Sequence, residues 1–167
     1  MNIYDASVPV FTHFLGSLSV ILKKAEAHCT ASKIDPSIIL NARLFPDMFA
    51  FTRQVQIASD AAKGAGARLA GVAVPSYPDE EKTFEDLQAR IARTVAFLAS
   101  LKREDFAGSE TRDIHIKAGP RELDFKGAAY LETWAKPNFF FHLTTAYAIL
   151  RHSGIELGKP DFLAGGL

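Results

Sequence analysis

From the N-terminus onward, apolar positions recur at Phe11, Leu15, Leu18, Leu22 and Ala25, steps of four and three that turn one face of a helix toward a core. Ser7, with Pro9 close behind, predicts the start of this first helix, and the pattern fades near His28. After a polar stretch, Pro36 opens a short helix to about Leu44. Pro46 then starts a second long helix whose stripe runs Met48, Phe51, Val55, Ala58, Ala62, Ala65 and Leu69. The later half of that helix is rich in Ala and Gly, which lets a neighbouring backbone approach closely, and Gly71 marks its stop. Pro75 and Pro78 keep the next segment extended. Thr83 and Asp86 have the spacing of a capping box, and a third long helix follows with Phe84, Leu87, Ile91, Val95 and Leu98.

The period then changes to two. Ile114 and Ile116 alternate with His115 and Lys117, and Leu123 and Phe125 alternate with Asp124 and Lys126, on either side of Gly119-Pro120. This predicts a β-hairpin lying against the helices with the four apolar residues inward, since an isolated hairpin is marginal in water. A fourth long helix is predicted from Pro137 to about His152 with Gly154 as its cap, and the remainder to Leu167 reads as a docked tail. The fold class is therefore all-α in the main, a four-helix bundle with a short β-hairpin between the third and fourth long helices, in one domain spanning 1–167.

Composition narrows the partners. Nineteen Lys plus Arg match nineteen Asp plus Glu, so no net field draws the chain to nucleic acid or to an anionic membrane. The single cysteine, Cys29, cannot form an internal bridge, and the N-terminus lacks a basic segment before an apolar run. No window approaches eighteen uninterrupted apolar residues. A cytoplasmic protein with no membrane anchor is the expectation.

The chemistry worth weighing centres on His142, which falls on the apolar stripe of Phe139, Ala146 and Ile149. Such a histidine is either a core residue hydrogen-bonded to a tyrosine, a threonine or a backbone carbonyl, the preferred reading, or a metal ligand or proton carrier inside the bundle. Four residues before it stands Asn138 and four after it Ala146, so the fourth helix offers no second histidine, and the second helix has none. A site built from Asp47, Asp60 and His142 is the carboxylate alternative, although Asp47 reads more simply as the partner of Arg43 or Arg53. Arg43, Asp47, Arg53, Gln54, Gln56 and Asp60 flank the second helix's stripe; Asp47 and Gln54 share one side, and the preferred reading of the set is a solvated flank with weak ion pairs. Tyr147, on the stripe of Phe140, Leu143 and Leu150, has a core ring and a hydroxyl at the boundary. His13, His28, His115 and His152 are scattered and read as surface residues. No phosphate-binding glycine loop, nucleophile elbow or paired-cysteine motif occurs.

Two segments, Ala42-Arg43-Leu44-Phe45-Pro46-Asp47-Met48-Phe49 leading into Arg53-Gln54-Val55-Gln56, and Pro137-Asn138-Phe139-Phe140-Phe141-His142 leading into Ala146–Arg151, together with Asp5-Ala6-Ser7-Val8-Pro9, carry a resemblance. The chain resembles a bacterial family of domains of unknown function grouped with the DinB/YfiT-like helical bundles. The resemblance implies an up-down-down-up four-helix bundle, frequently a homodimer, and no established activity. Many members of the wider superfamily hold a metal through one histidine of the second helix and a His-x-x-x-His pair of the fourth, and some are hydrolases or thiol S-transferases. Only His142 matches that set here.

The function expected is a homodimeric bundle that binds a small molecule or partner in a cleft between the second and fourth helices, without a cofactor. His142, Tyr147, Asp47, Arg53, Gln54 and Asn138 are the candidate binding residues. The alternatives are a hydrolase or thiol S-transferase using a divalent metal on substituted ligands, and a structural module that dimerises through the Ala- and Gly-rich half of the second helix.

Overall fold

The computed structural model describes residues 2–165 and consists of four long helices, a β-hairpin and shorter helical turns. Residues 1, 166 and 167 of the predicted domain, including the end of the predicted docked tail, lie outside the described residues. The first helix, α1, runs Ile3–Ser32, longer at both ends than the periodicity alone shows. Asn2 is its cap, its side chain accepting from the Tyr4 N–H at 2.8 Å, so Ser7 lies inside the helix and its hydroxyl donates to the Ile3 carbonyl instead. Pro9 therefore sits within the helix, where it removes one backbone hydrogen bond without ending it. By length and composition alone α1 could cross a membrane, but Phe11, Leu15, Leu18, Leu22 and Ala25 are fully buried, the pattern of a bundle's core helix.

The short helix α2 spans Pro36–Leu40, with the Asp35 side chain accepting from the Ser37 N–H. The second long helix, α3, spans Phe51–Ala70, so the predicted start at Pro46 is corrected by one turn and more. Arg43 Nη1 donates to the Met48 carbonyl at 2.9 Å and the Phe51 N–H donates to the Ala42 carbonyl at 2.9 Å. These bonds hold residues 43–50 as a loop. From Phe51 on the predicted stripe holds: Phe51, Val55, Ala58, Ala62, Ala65 and Leu69 are fully buried.

The third long helix, α4, spans Phe84–Ser100 and opens on the predicted capping box, Asp86 N–H to Thr83 Oγ1 at 3.0 Å and Thr83 N–H to Asp86 Oδ2 at 2.9 Å. A 3₁₀ turn, Arg103–Phe106, leads to the hairpin of β1 (Asp113–Ala118) and β2 (Arg121–Lys126), antiparallel with Ile114 opposite Phe125 and Ile116 opposite Leu123. Ile114 and Ile116 are buried, Leu123 and Phe125 half-buried against the core.

A helical stretch then runs without a break through α5 (Gly127–Tyr130), a π turn (Leu131–Ala135) and α6 (Lys136–His152). The π turn lies just before Pro137, which has no N–H to offer the carbonyl one turn back, so the widened turn falls where the α-helical ladder is interrupted. The chain closes with α7 (Lys159–Ala164), docked on α1 by Lys24 to Asp161 at 2.6 Å and by Phe14 against Phe162.

α3 is the central element. It packs most extensively along α6 and also contacts α4 and α1. Covered on several sides, it buries polar residues as well as apolar ones, Gln54, Gln56 and Lys63 among them, so the expected solvated flank is corrected at Gln54 and Gln56, while Arg53 and Asp60 are half-buried and Arg43 and Asp47 exposed. The Ala- and Gly-rich half is consumed inside the chain. A Cβ on Gly66 would come within 2.6 Å of Leu98 and 2.9 Å of Leu101, so this face closes on α4 and its exit.

Candidate functional site

His142 lies nearly two turns into α6 and only half-buried, at the edge of the core stripe rather than within it. Facing it from α3 is Gln54, whose Oε1 is 2.7 Å from His142 Nδ1. The orientation of that amide is set from its other end, because Gln54 Nε2 donates to the Phe49 carbonyl at 3.1 Å. With Oε1 left as an acceptor, His142 must carry its proton on Nδ1 and donate it. The Nε2 lone pair is then the free one, with no hydrogen bond among the described residues. Burial disfavours the charged ring and the positive charge of Arg53 adds to this, holding the histidine below its ordinary pKa and hence neutral near pH 7.

Apolar rings border the pair. Phe141, exposed, stands edge-on to the His142 ring at 5.1 Å, and Phe49, also exposed, lies with its ring 5.9 Å from the Arg53 guanidinium. His142, Gln54 and Arg53 are thus brought together at the end of the α3–α6 contact, below the loop 43–50. The other three candidates are not. Tyr147, five residues and about 140° of helical turn from His142, packs its ring on Phe162 of α7. Asn138 stays one turn before His142 but donates its amide to the Trp134 carbonyl at 2.8 Å. Asp47 sits in the loop before α3, so it shares no helical face with Gln54, and Arg43 and Arg53 bind other groups instead of neutralising it.

The second and fourth long helices, α3 and α6, between which the cleft is expected, pack directly on each other. Depressions of about 810, 360 and 490 Å³ open elsewhere, one between α1 and the α7 approach, one beside Glu81 and Arg90, one between α1 and α4. His142, Gln54 and Arg53 line none of these three depressions.

Next to it lies a charged assembly that the sequence reading missed. Arg90 of α4 has a fully buried side chain. Its Nη1 donates to Glu81 Oε1 at 2.8 Å and to the Pro78 carbonyl at 3.1 Å, while Nη2 is 3.0 Å from carboxylate oxygens of both Asp60 and Asp79, close in charge though not aligned as a hydrogen bond. Gln56 donates to Glu81, Lys63 pairs with Asp60, and Arg53 reaches Asp79 at 2.5 Å. Tyr77 is clasped between Lys63 and Arg93, at 3.9 and 3.7 Å from its ring. Burial pushes the Glu81 carboxyl up, but the bonds from Arg90 and Gln56 outweigh it and leave it below the ordinary range. The extended segment 72–83 is thereby strapped across α3 and α4. A signal existed: Arg90, three after Leu87 and four before Thr94, is a charge on an apolar face just downstream of Asp79, Glu80 and Glu81.

The metal implied by the resemblance does not fit this donor set. Gln54 faces His142 where a second-helix ligand would stand, Asp60 is committed to Arg90 and Lys63, and Asp47 is in the loop. Among the described residues no group of three or more His, Cys, Asp or Glu could hold a metal ion.

Four long helices with α3 and α6 in direct contact, a hairpin in the last long connection and one histidine at the helix seam define a DinB-like helical bundle. The particular family follows from comparison: the chain belongs to the family described as Domain of unknown function (DUF1993), whose profile matches residues 3–163. It is 41% identical to a DinB family member protein from Shewanella denitrificans, whose crystal structure superposes with a TM-score of 0.88 over 97% of this chain and 92% of that one. A comparison with curated proteins finds no match.

Proposed function

We propose that this protein binds a small molecule over His142, between the rings of Phe49 and Phe141, without a bound metal. The observation that carries the reading is the relay from the Phe49 carbonyl through Gln54 to His142 Nδ1, which presents Nε2 as a fixed, neutral hydrogen-bond acceptor. Arg53 beside it supplies positive charge and the exposed rings supply apolar area, the combination of a few placed polar groups with aromatic walls that small-molecule sites use.

The test is a protein-observed NMR screen with a library of small aromatic compounds. Hits that shift the His142 ring and the Phe49 and Phe141 signals, and are lost in His142→Ala, support the site; hits confined to the groove of Lys24, His28 and Leu157 would overturn it. Elemental mass spectrometry of untagged protein tests the metal-free part, where about one transition metal per chain, lost in His142→Ala, is the contrary result.

A further inference from the structure

The hydrogen bonds of Arg53 are unevenly used. Nη1 carries both of them, to Gln56 Oε1 at 3.1 Å and to Asp79 Oδ2 at 2.5 Å, and neither Nη2 nor Nε bonds to any of the described residues. A guanidinium offers paired N–H groups that match a carboxylate in two-pronged fashion, and Asp79 engages only one nitrogen of such a pair. The Arg53–Asp79 pair is also partly in water, with side chains 41% and 39% exposed, so solvent screens it and the hold is weak.

Asp79 is placed so that it can let go. Its other oxygen, Oδ1, is 3.0 Å from Arg90 Nη2, so parting from Arg53 leaves its charge opposite a second cation. It belongs to the extended segment 72–83, whose backbone hydrogen bonds to the helices fall at its two ends, Val72 N–H to the Ala67 carbonyl and Leu87 N–H to the Thr83 carbonyl, and not at Asp79. Around Arg53 stand the Phe49 ring and, through Gln54, the His142 acceptor with Phe141 beyond it.

We infer that Asp79 is an internal stand-in for a ligand's carboxylate, and that the site takes a small carboxylic acid with a flat apolar body. The ligand's carboxylate displaces Asp79 from Arg53, its body lies on Phe49 and Phe141, and an O–H or N–H it carries donates to His142 Nε2. This names the ligand class of the site proposed above and rests on that reading.

The probes are 3-hydroxybenzoate and its neutral counterpart 3-hydroxybenzamide, titrated into the full chain and followed by NMR at His142. The benzoate is expected to bind at least fivefold more tightly than the benzamide. Asp79→Asn, which removes the internal competitor, is expected to tighten the benzoate about threefold or more and to leave the benzamide unchanged. Arg53→Gln is expected to weaken the benzoate at least fivefold, and Arg53→Lys, which keeps the charge but not the fork, to fall between. Because Asp79 also faces Arg90, Asp79→Ser serves as a second variant, and the thermal midpoint of each confirms folding. Equal binding of the two probes, or a benzoate affinity unmoved by Asp79→Asn and Asp79→Ser, overturns the carboxylate inference while leaving the site in place. Failure of both probes to perturb His142 overturns the site reading and this inference with it.

Discussion

His142 and His115 sit in opposite settings, and their titrations report it. His142 is half-buried beside a cation, so its neutral form is favoured; His115, exposed on β1 directly across from Asp124, has Nδ1 2.8 Å from that carboxylate, whose hydrogen bond favours the protonated ring. In NMR titrations His142 should therefore fall below, and His115 above, the ordinary histidine value of about 6.5. The reverse order would contradict the Gln54–His142 geometry. The effects on stability have opposite signs. Where the unfolded chain protonates its His142 and the folded protein resists, stability falls as pH drops below about 6.5. The His115 contribution is complete below its unfolded pKa and is lost as pH rises through its raised folded value. Urea midpoints at pH 7 and pH 5 should drop less for His142→Gln than for the parent chain, and an unchanged drop would place the acid sensitivity elsewhere. At this scale the sequence singled out His142 by its spacing from Phe139 and Ala146, which puts it on the apolar stripe; the structure moves it to the half-buried edge of that stripe. The sequence grouped Tyr147 and Asp47 with His142, whereas five positions along α6 and a loop at residues 43–50 carry them away from it.

Among the elements, the hairpin, the capping box and the α3 stripe were legible because each depends on neighbours within a few residues. Thr83 and Asp86 satisfy each other's backbone whatever the rest of the chain does. The starts of α1 and α3 were not, since Asn2 outcompetes Ser7 as a cap and Arg43 draws the preceding loop's carbonyls away from a helix. The entry to α5 depends on a distant contact. A Cβ on Gly127 would lie 1.8 Å from the Ser109 carbonyl oxygen, a backbone atom that cannot step aside as a side-chain end can. Gly127→Ala should destabilise by about 1–3 kcal/mol as an overpacked site. At about 2–4 °C per kcal/mol for a chain of this size, a differential scan resolves it, and an unshifted melting temperature would show that the Ser109 turn is not held in place.

For the molecule as a whole, the strap 72–83 connects the His142 surface to the core through Arg53, Asp79 and Arg90. Arg90→Ala removes the cation that Glu81, Asp60 and Asp79 share. The expected loss is about 3 kcal/mol, the low end for a broken buried pair because Asp60 and Asp79 remain partly in water. Urea unfolding measures it, and backbone amides of 78–83 should exchange faster in the variant. A loss under about 0.5 kcal/mol, the range of an ordinary surface change, would mean that the strap is held by packing alone.

Periodicity and turn chemistry determined the fold class by themselves: apolar spacing of three and four for the long helices, spacing of two for the hairpin, and the polar or proline-bearing joins between them. Those signals are local, and each residue's own neighbours suffice to express them. Tertiary structure alone decided which polar groups meet. Gln54 and His142 are 88 positions apart and Arg90 takes partners from both α3 and the strap, contacts created only when α3 is enclosed by its neighbours. Burial then makes each such group either pair or pay the cost of desolvation, and that constraint assembles the site.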